Sequence, residues 1–387
     1  VHASIMSASG EISDDEAETL YIELDTEARA GRIHGRGGRN KRKLEKAVGC
    51  HAELNGTNLQ LRGTKQQLQT ASLIVKSILA SINQGEVIVD SSDVKENCTV
   101  LDIPSRTIRM VLGKGGEHLH SIEEENNTLM LLGRVAEHEV DESTGTFIIF
   151  GNRHGRRLSQ LLIMGLVESI VDGYFTCHWY DGCFTYDNPA DCTDGWGTYV
   201  RELKDDDDIA FVQGKNASTR HKLMRASGCV IGVVGSLLFI SGLEQQQLCA
   251  GEYIDWLLEQ RQRRDADAHY AGISCPEDRE DCTMLTIPDD CVAYVTGVRR
   301  HVLNEIEDIW GVLVFSLAEK PSPSEQSFAI FGPVRSRCGA DLDIKYFIER
   351  QRPGLLSEKM EEHQSHTEEF AQDYLQLQEG EAAFLCG

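Results

Sequence analysis

The chain repeats itself, and this constrains its fold more than any other feature. AVGCHAELNGTNLQLRG is matched further on by ASGCVIGVVGSLLFISG. Gly49, Cys50, Gly56, Leu59 and Gly63 correspond to Gly228, Cys229, Gly235, Leu238 and Gly242, all at one constant offset. A second echo joins NCTVLDIP to DCTMLTIP and FIIFG to FAIFG. There Cys98, Pro104 and Gly113 correspond to Cys282, Pro288 and Gly297, at a second offset slightly longer than the first. Self-similarity at a fixed offset makes each repeat one supersecondary unit of the architecture. Four units follow from it, arranged as two copies of one A-B pair.

The second unit shows the plan. Thr99 to Ile103 is a short apolar run, followed by Pro104 and a helix-period stretch that ends at Val111-Leu112. Gly113-Lys114-Gly115-Gly116 comes next, then a helical stretch with Leu119 and Ile122, strand-like runs at Leu129 to Leu132 and Phe147 to Phe150, and an amphipathic helix. The first unit has the same order. A strand over Leu20 to Leu24 and a helix through Ala28 to His34 lead into Gly35-Arg36-Gly37-Gly38; a helix over Asn40 to Val48 follows. Strands at Cys50 to Leu54 and Asn58 to Arg62 meet at a tight Asn55-Gly56-Thr57 turn. The closing helix spaces Leu68, Ala71, Val75, Ile78, Leu79 and Ile82 along one face. In the third unit the loop has become Gly214-Lys215-Asn216-Ala217, and in the fourth Gly297-Val298-Arg299-Arg300. Their strand runs persist at Val230 to Val234, Leu237 to Ile240, Val312 to Phe315 and Phe328 to Phe331.

Chemistry is expected at the loops, since glycine without a Cβ lets backbone approach a ligand closely. The amides lie near the start of a helix, where unpaired N–H groups and the helix dipole favour an anion such as phosphate. A Gly-rich turn without function is the plain alternative. A P-loop is excluded because GxxxxGK[ST] is absent.

A helix, a GXXG loop, a helix and two strands resembles the type I KH domain, a single-stranded nucleic-acid module. The four units together resemble tandem-KH proteins of the vigilin and poly(C)-binding kind, over most of residues 18 to 352. The resemblance implies an α+β fold of β-α-α-β-β-α units, each with a three-stranded antiparallel sheet packed against three helices. It implies that the GXXG loop clamps the backbone of about four nucleotides. On that pattern Gly35, Arg36, Gly37 and Gly38, with Gly113, Lys114, Gly115 and Gly116, are the phosphate clamps, and Ile33 and Val111 give an apolar floor beneath the bases. Residues near Ala52 and Glu53, and Leu129 to Leu131, would present backbone that reads base edges. The third and fourth loops depart from the pattern, which implies units given over to structure or protein binding.

Charge points the same way. Between Arg29 and Lys46 lie eight basic residues, Arg29, Arg32, Arg36, Arg39, Lys41, Arg42, Lys43 and Lys46, against Glu45 alone. Such a run is ordinarily a solvated face. Around a GXXG loop it reads as an RNA-facing patch, with Arg39, Lys41 and Arg42 beside the clamp. The whole chain carries a formal net charge of -24, which argues against non-specific coating of nucleic acid through a broad basic surface.

The expected divisions are a disordered or linking stretch at 1–17, KH-like units at 18–84 and 96–172, a Cys- and aromatic-rich insertion at 173–194, KH-like units with degenerate loops at 195–264 and 281–352, and an acidic tail at 353–387. Residues 83–97 and 265–280 read as linkers. In the insertion, Cys177, His178, Cys183 and Cys192 lack paired CxxC spacing, so no metal and no cofactor is expected. The tail reads as a linker, with a partner-binding helix carrying Phe370, Tyr374 and Leu377 as the alternative, and His363 and His366 read as solvated. No paired carboxylates, nucleophile triad or metal signature marks an enzyme. No apolar run spans a bilayer, and the scattered twelve cysteines fit a reducing cytoplasm or nucleus. The Val1 start and Phe384-Leu385-Cys386-Gly387 end suggest a piece of a longer protein. Two functions stay open: a non-catalytic protein that binds single-stranded RNA, with single-stranded DNA as the related ligand, or a scaffold subunit of a ribonucleoprotein whose folds contact protein through units three and four and the tail.

Overall fold

The computed structural model describes residues 3–6, 18–84, 87–89, 98–135, 143–177, 191–203, 205–265, 272–275, 279–355, 366–367 and 370–371. The first element order is β1 (Ala3–Met6), β2 (Glu18–Glu23), α1 (Glu27–His34), α2 (Arg39–Val48), β3 (His51–Asn55), β4 (Asn58–Gly63) and α3 (Lys65–Gln84). Then come β5 (Val87–Val89), β6 (Cys98–Pro104), α4 (Ile108–Leu112), α5 (Glu117–Asn126), β7 (Leu129–Val135), β8 (Thr144–Phe150) and α6 (Arg153–Ile170). The third series is β9 (Trp196–Glu202), α7 (Asp206–Gln213), α8 (Ser218–Ser227), β10 (Val230–Val234), β11 (Leu237–Leu243) and α9 (Glu244–Asp265). The fourth is β12 (Cys282–Pro288), α10 (Asp289–Thr296), α11 (His301–Trp310), β13 (Leu313–Ser316), β14 (Glu325–Phe331) and α12 (Val334–Gln351). Each series runs through helices and an antiparallel sheet, so the fold is α+β. The chain divides into two compact units, one of Val1–Ala210 with Cys229–Leu248, the other of Phe211–Gly228 with Cys249–Gly387.

Each of the four main sheets has the last strand of its series in the centre, β4 between β2 and β3, β8 between β6 and β7, β11 between β9 and β10, and β14 between β12 and β13. Two differences from the sequence reading stand out. Ala3–Met6, expected to be unstructured, pairs antiparallel with β2, and Val87–Val89, expected to lie in a linker, runs parallel beside β7. Both are short β-branched or apolar runs laid on an open sheet edge, where unpaired N–H and C=O groups recruit any strand within reach. The first two sheets are therefore four-stranded. In the tail, His366–Thr367 and Phe370–Ala371, in a stretch read as linker or helix, pair as two short strands. Tyr374, Leu377 and His363 lie outside the described residues, as do His178 and Cys183.

Side-chain alternation shows which sheet faces are covered. In β4, Leu59 and Leu61 are buried while Asn58 and Arg62 are exposed, the period-2 pattern of a sheet with one dry face. In β10 and β11 nearly every residue is buried. The reason lies in α6, whose Leu161, Met164 and Val167 share an apolar cluster with Val230, Val234, Leu237 and Phe239. A Cβ on Gly232 would come within 2.7 Å of Leu161, and one on Gly165 within 2.7 Å of the Val233 carbonyl. Arg157 enters the same contact, donating to Ser241 Oγ at 2.9 Å and Thr198 Oγ1 at 3.0 Å. The second sheet is treated alike by α3: Ile74, Val75 and Ile78 share a cluster with Cys98, Ile148 and Phe150. In the fourth, Tyr253 and Trp256 of α9 stack on Phe331, both with ring centroids 5.1 Å away. Among the described residues no helix is long and apolar enough to cross a membrane.

Candidate nucleic-acid interface

All four Gly-led loops adopt one backbone conformation. Their first glycines, Gly35, Gly113, Gly214 and Gly297, have φ of 71, 73, 69 and 69°. The third positions, Gly37, Gly115, Asn216 and Arg299, have φ of 62, 64, 53 and 53°, and the fourth, Gly38, Gly116, Ala217 and Arg300, of 76, 82, 61 and 65°. In each the fourth amide donates to the first carbonyl, at 3.2 to 3.3 Å. Each loop leads directly into a helix, α2, α5, α8 or α11. The third and fourth loops therefore hold non-glycine residues in the left-handed region, at about 1–2 kcal/mol each.

Why the first glycine alone recurs in all four is a matter of space. A Cβ at Gly35 or Gly113 would fall 2.7 Å from Asn40 Cγ or His118 Cβ, and at Gly214 or Gly297 it would meet Thr219 or Val302. At Gly37 and Gly115 a Cβ would meet nothing within 4 Å. The leading glycine is demanded by the following helix. The later ones are demanded only by φ, and their open side is where a ligand's backbone has room to come close.

The basic run around the first loop divides into two sets. Arg32, Arg36, Arg39, Arg42 and Lys46 are exposed. Arg29 is held by Asp25. Lys41, expected beside the clamp, is turned back: it pairs with Glu45 at 3.2 Å and donates to the Ala52 carbonyl. Lys43 is buried against Glu123. In the second loop Lys114 is exposed.

The apolar floor assigned to Ile33 and Val111 is corrected by their burial, at 2 % and 0 % exposure. Each lies just ahead of its leading glycine, where the helix turns that position into the core beneath the loop. In the second series Met110, next to Val111 on α4, and Leu132, on β7, are exposed apolar side chains. The strand-edge assignment also changes. The Ala52 amide donates to Glu45 at 3.0 Å and the Met130 amide to Glu123 at 2.8 Å, so these edge groups are satisfied by the chain's own glutamates. The Val314 amide is met in the same way by Glu307, at 2.8 Å.

Glu123 and Glu307 also receive a lysine from a neighbouring series. Around Glu123 stand Lys43 of α2 and His120, whose Nδ1 is 2.6 Å from Lys43 Nζ and 2.9 Å from Glu123 Oε2. Around Glu307 stand Lys222 of α8 at 3.1 Å and Arg300 at 2.8 and 3.0 Å. Lys222 corresponds to Lys43 at the offset that relates the third unit to the first, and Glu307 to Glu123 at the offset that relates the fourth to the second. Burial alone would raise the Glu307 carboxyl, but Arg300 and Lys222 outweigh it and hold the group below the usual carboxylate range. Arg300, a loop residue, is thereby committed inward. Sequence reasoning missed these junctions, although the recurrence of Lys and Glu at the two offsets was available as a signal.

Among the described residues no group of three or more His, Cys, Asp or Glu side chains is arranged to hold a metal ion. Cys177 and Cys192 are exposed thiols. No family model and no curated protein matches the sequence. Among solved structures, Dim2p from Pyrococcus horikoshii OT3 overlays 42 % of this chain and 90 % of its own at 18 % identity and TM-score 0.21. The a/eIF2alpha-aDim2p-rRNA complex from the same organism overlays 44 % and 94 %, at 18 % identity and TM-score 0.22. A structure described as KH domains overlays 84 % and 81 %, at 11 % identity and TM-score 0.15. These scores are low, and the interface is defined by its own geometry.

Proposed function

We propose that this chain is a non-catalytic single-stranded RNA-binding protein built from four type I KH-like units, a duplicated A-B pair in which the first two units carry the RNA. The observation that carries the reading is the pair of loops at Gly35–Gly38 and Gly113–Gly116. Both have glycine wherever φ is positive, both open into a helix N-terminus, and the first is ringed by exposed Arg36, Arg39 and Arg42. A phosphate there meets backbone without an intervening Cβ and a favourable helix dipole. The duplication is supported by the two Lys–Glu junctions at matching offsets.

The third and fourth loops keep the backbone shape but place Asn216, Ala217, Val298 and Arg299 on it. Val298 is 85 % exposed, an apolar tip in place of a phosphate seat. This favours structural or protein-binding roles for those units, and it is the observation behind the second reading, a scaffold subunit of a ribonucleoprotein.

The test is binding of the full chain to short single-stranded RNAs across a salt series, with single-stranded DNA of equal length beside them. Affinity is expected to fall with salt at a slope of about -0.7 per phosphate neutralised. Gly37→Asp and Gly115→Asp together are expected to abolish it, and Asn216→Asp to leave it unchanged. Undiminished binding by the double variant overturns the reading.

A further inference from the structure

The second, third and fourth sheets each have their outer face covered by the last helix of the preceding series: the second by α3, the third by α6 and the fourth by α9. The helix that closes the fourth series, α12, has no such sheet among the described residues, and its corresponding face is apolar and open. With FIIFG laid on FAIFG, the two closing helices that follow align residue for residue. Arg156 and Arg337 correspond, each hydrogen-bonded to the threonine after the first cysteine of its sheet, Thr99 or Thr283. Buried Ile163 and Val167 correspond to buried Ile344 and Ile348. On this alignment Arg157, Leu161 and Gly165, the stripe by which α6 lies on the third sheet, become Cys338, Leu342 and Tyr346.

Their exposures are opposite. Leu161 is 1 % exposed, whereas Leu342 is 47 % and Tyr346 56 % exposed. Val334, one turn before Cys338, continues the stripe at 39 %. Near the start of α12 lies a cleft of about 480 Å³ lined by Ile309, Trp310 and Pro333, with Trp310 Nε1 anchored to Asp343 at 2.6 Å. Contiguous exposed apolar surface rimmed by polar residues marks interaction sites.

We propose that this face of α12 docks the outer face of an aliphatic antiparallel sheet in a partner protein, continuing the helix-on-sheet contact that the chain makes internally three times. The occupant's chemistry follows from the sheets already covered, whose outer faces present Ile148 and Phe150, Val234 and Phe239, and Phe315 and Phe331. Among the described residues, a second copy of this chain does not supply such a surface. Its first sheet, the one main sheet without a covering helix among the described residues, shows Tyr21, Glu23, Glu53 and Arg62 outward. The proposal is independent of RNA binding.

The experiment places the photocrosslinking residue p-benzoylphenylalanine at Leu342 of the full chain, expressed in its native cells, and maps the linked peptides by mass spectrometry. The same residue at exposed Arg335 serves as control. The expected result is linkage to alternating residues on one face of an antiparallel sheet in a different protein, reduced at least tenfold by Tyr346→Asp and unchanged by Gly37→Asp with Gly115→Asp. Linkage to a second copy, to residues 356–387 of the same chain, to RNA, or to a helix or loop of another protein would overturn it. So would a yield no greater than the control's. Circular dichroism of Tyr346→Asp should match the parent, since the side chain is exposed, and loss of crosslinking with loss of fold counts against the proposal unless Tyr346→Ser, folded, also lowers the yield.

Discussion

Replacing Lys43 by Met tests the junction between α2 and α5. Lys43 and Glu123 side chains are 8 % and 4 % exposed, so neither charge is met by bulk water. With the lysine removed, Glu123 keeps the Met130 amide and His120 but loses the cation that compensates its charge. Breaking a buried pair from one side costs about 3–5 kcal/mol, most of it the isolated charge. Glu123→Gln in the same chain removes that charge while its amide oxygen still accepts from Met130, so Lys43→Met with Glu123→Gln should recover all but about 1–2 kcal/mol. The full chain has several modules and need not unfold in two states, so local amide exchange is the better assay. At about 1.4 kcal/mol per factor of ten, Lys43→Met should speed exchange in peptides covering 119–132 by two orders of magnitude or more, and the double variant should return to within about thirtyfold of the parent. A change below fivefold in the single variant, or no recovery in the double, would refute the claim that an uncompensated buried charge governs this contact.

Gly113→Ala should be far more destabilising than Gly115→Ala, because only the first drives a Cβ to 2.7 Å from His118; the second should cost about 1 kcal/mol from φ alone, and Ala217→Gly should gain about as much, all read by chemical denaturation. Glu307 is held low in the folded state, so its stabilisation is complete above the ordinary carboxylate range and is lost as pH falls through the folded value. Glu307→Gln should flatten the acid limb of the stability profile below about pH 4, and an unchanged limb would count against the Arg300–Glu307–Lys222 cluster as an acid-sensitive element. Burial pushes the Cys282 thiol up to about 12 and Cys50 to about 11, so alkylation by iodoacetamide at pH 8 should mark exposed Cys177 and Cys192 well before either, as peptide mapping would show.

Much of the fold was legible in the residues because the forces concerned are local. Leading glycines announce a backbone that no other residue enters cheaply. NLQLRG alternates because one face of its sheet is wet, and Leu-Leu-Phe-Ile in β11 is continuous because both faces are dry. Helix periodicity placed the closing helices of the first two units. Repeat offsets located the third and fourth loops although their later glycines are gone. What the sequence could not reveal were facts of partnership. A lysine among basic neighbours looks like an RNA contact until α5 brings Glu123 beside it. Ile33 and Val111 looked like a floor for bases, but one step of helical rotation buries them. Lys41 was placed beside the clamp, and both it and Arg300 are committed to a glutamate and a strand carbonyl of their own series. Val87–Val89 and Ala3–Met6 carry too little pattern to be strands alone; an open sheet edge makes them so. Local conformation is set by each residue's own backbone and its near neighbours. Whether a charge or an apolar side chain faces water is set by segments from distant parts of the chain, and only the tertiary structure brings those together.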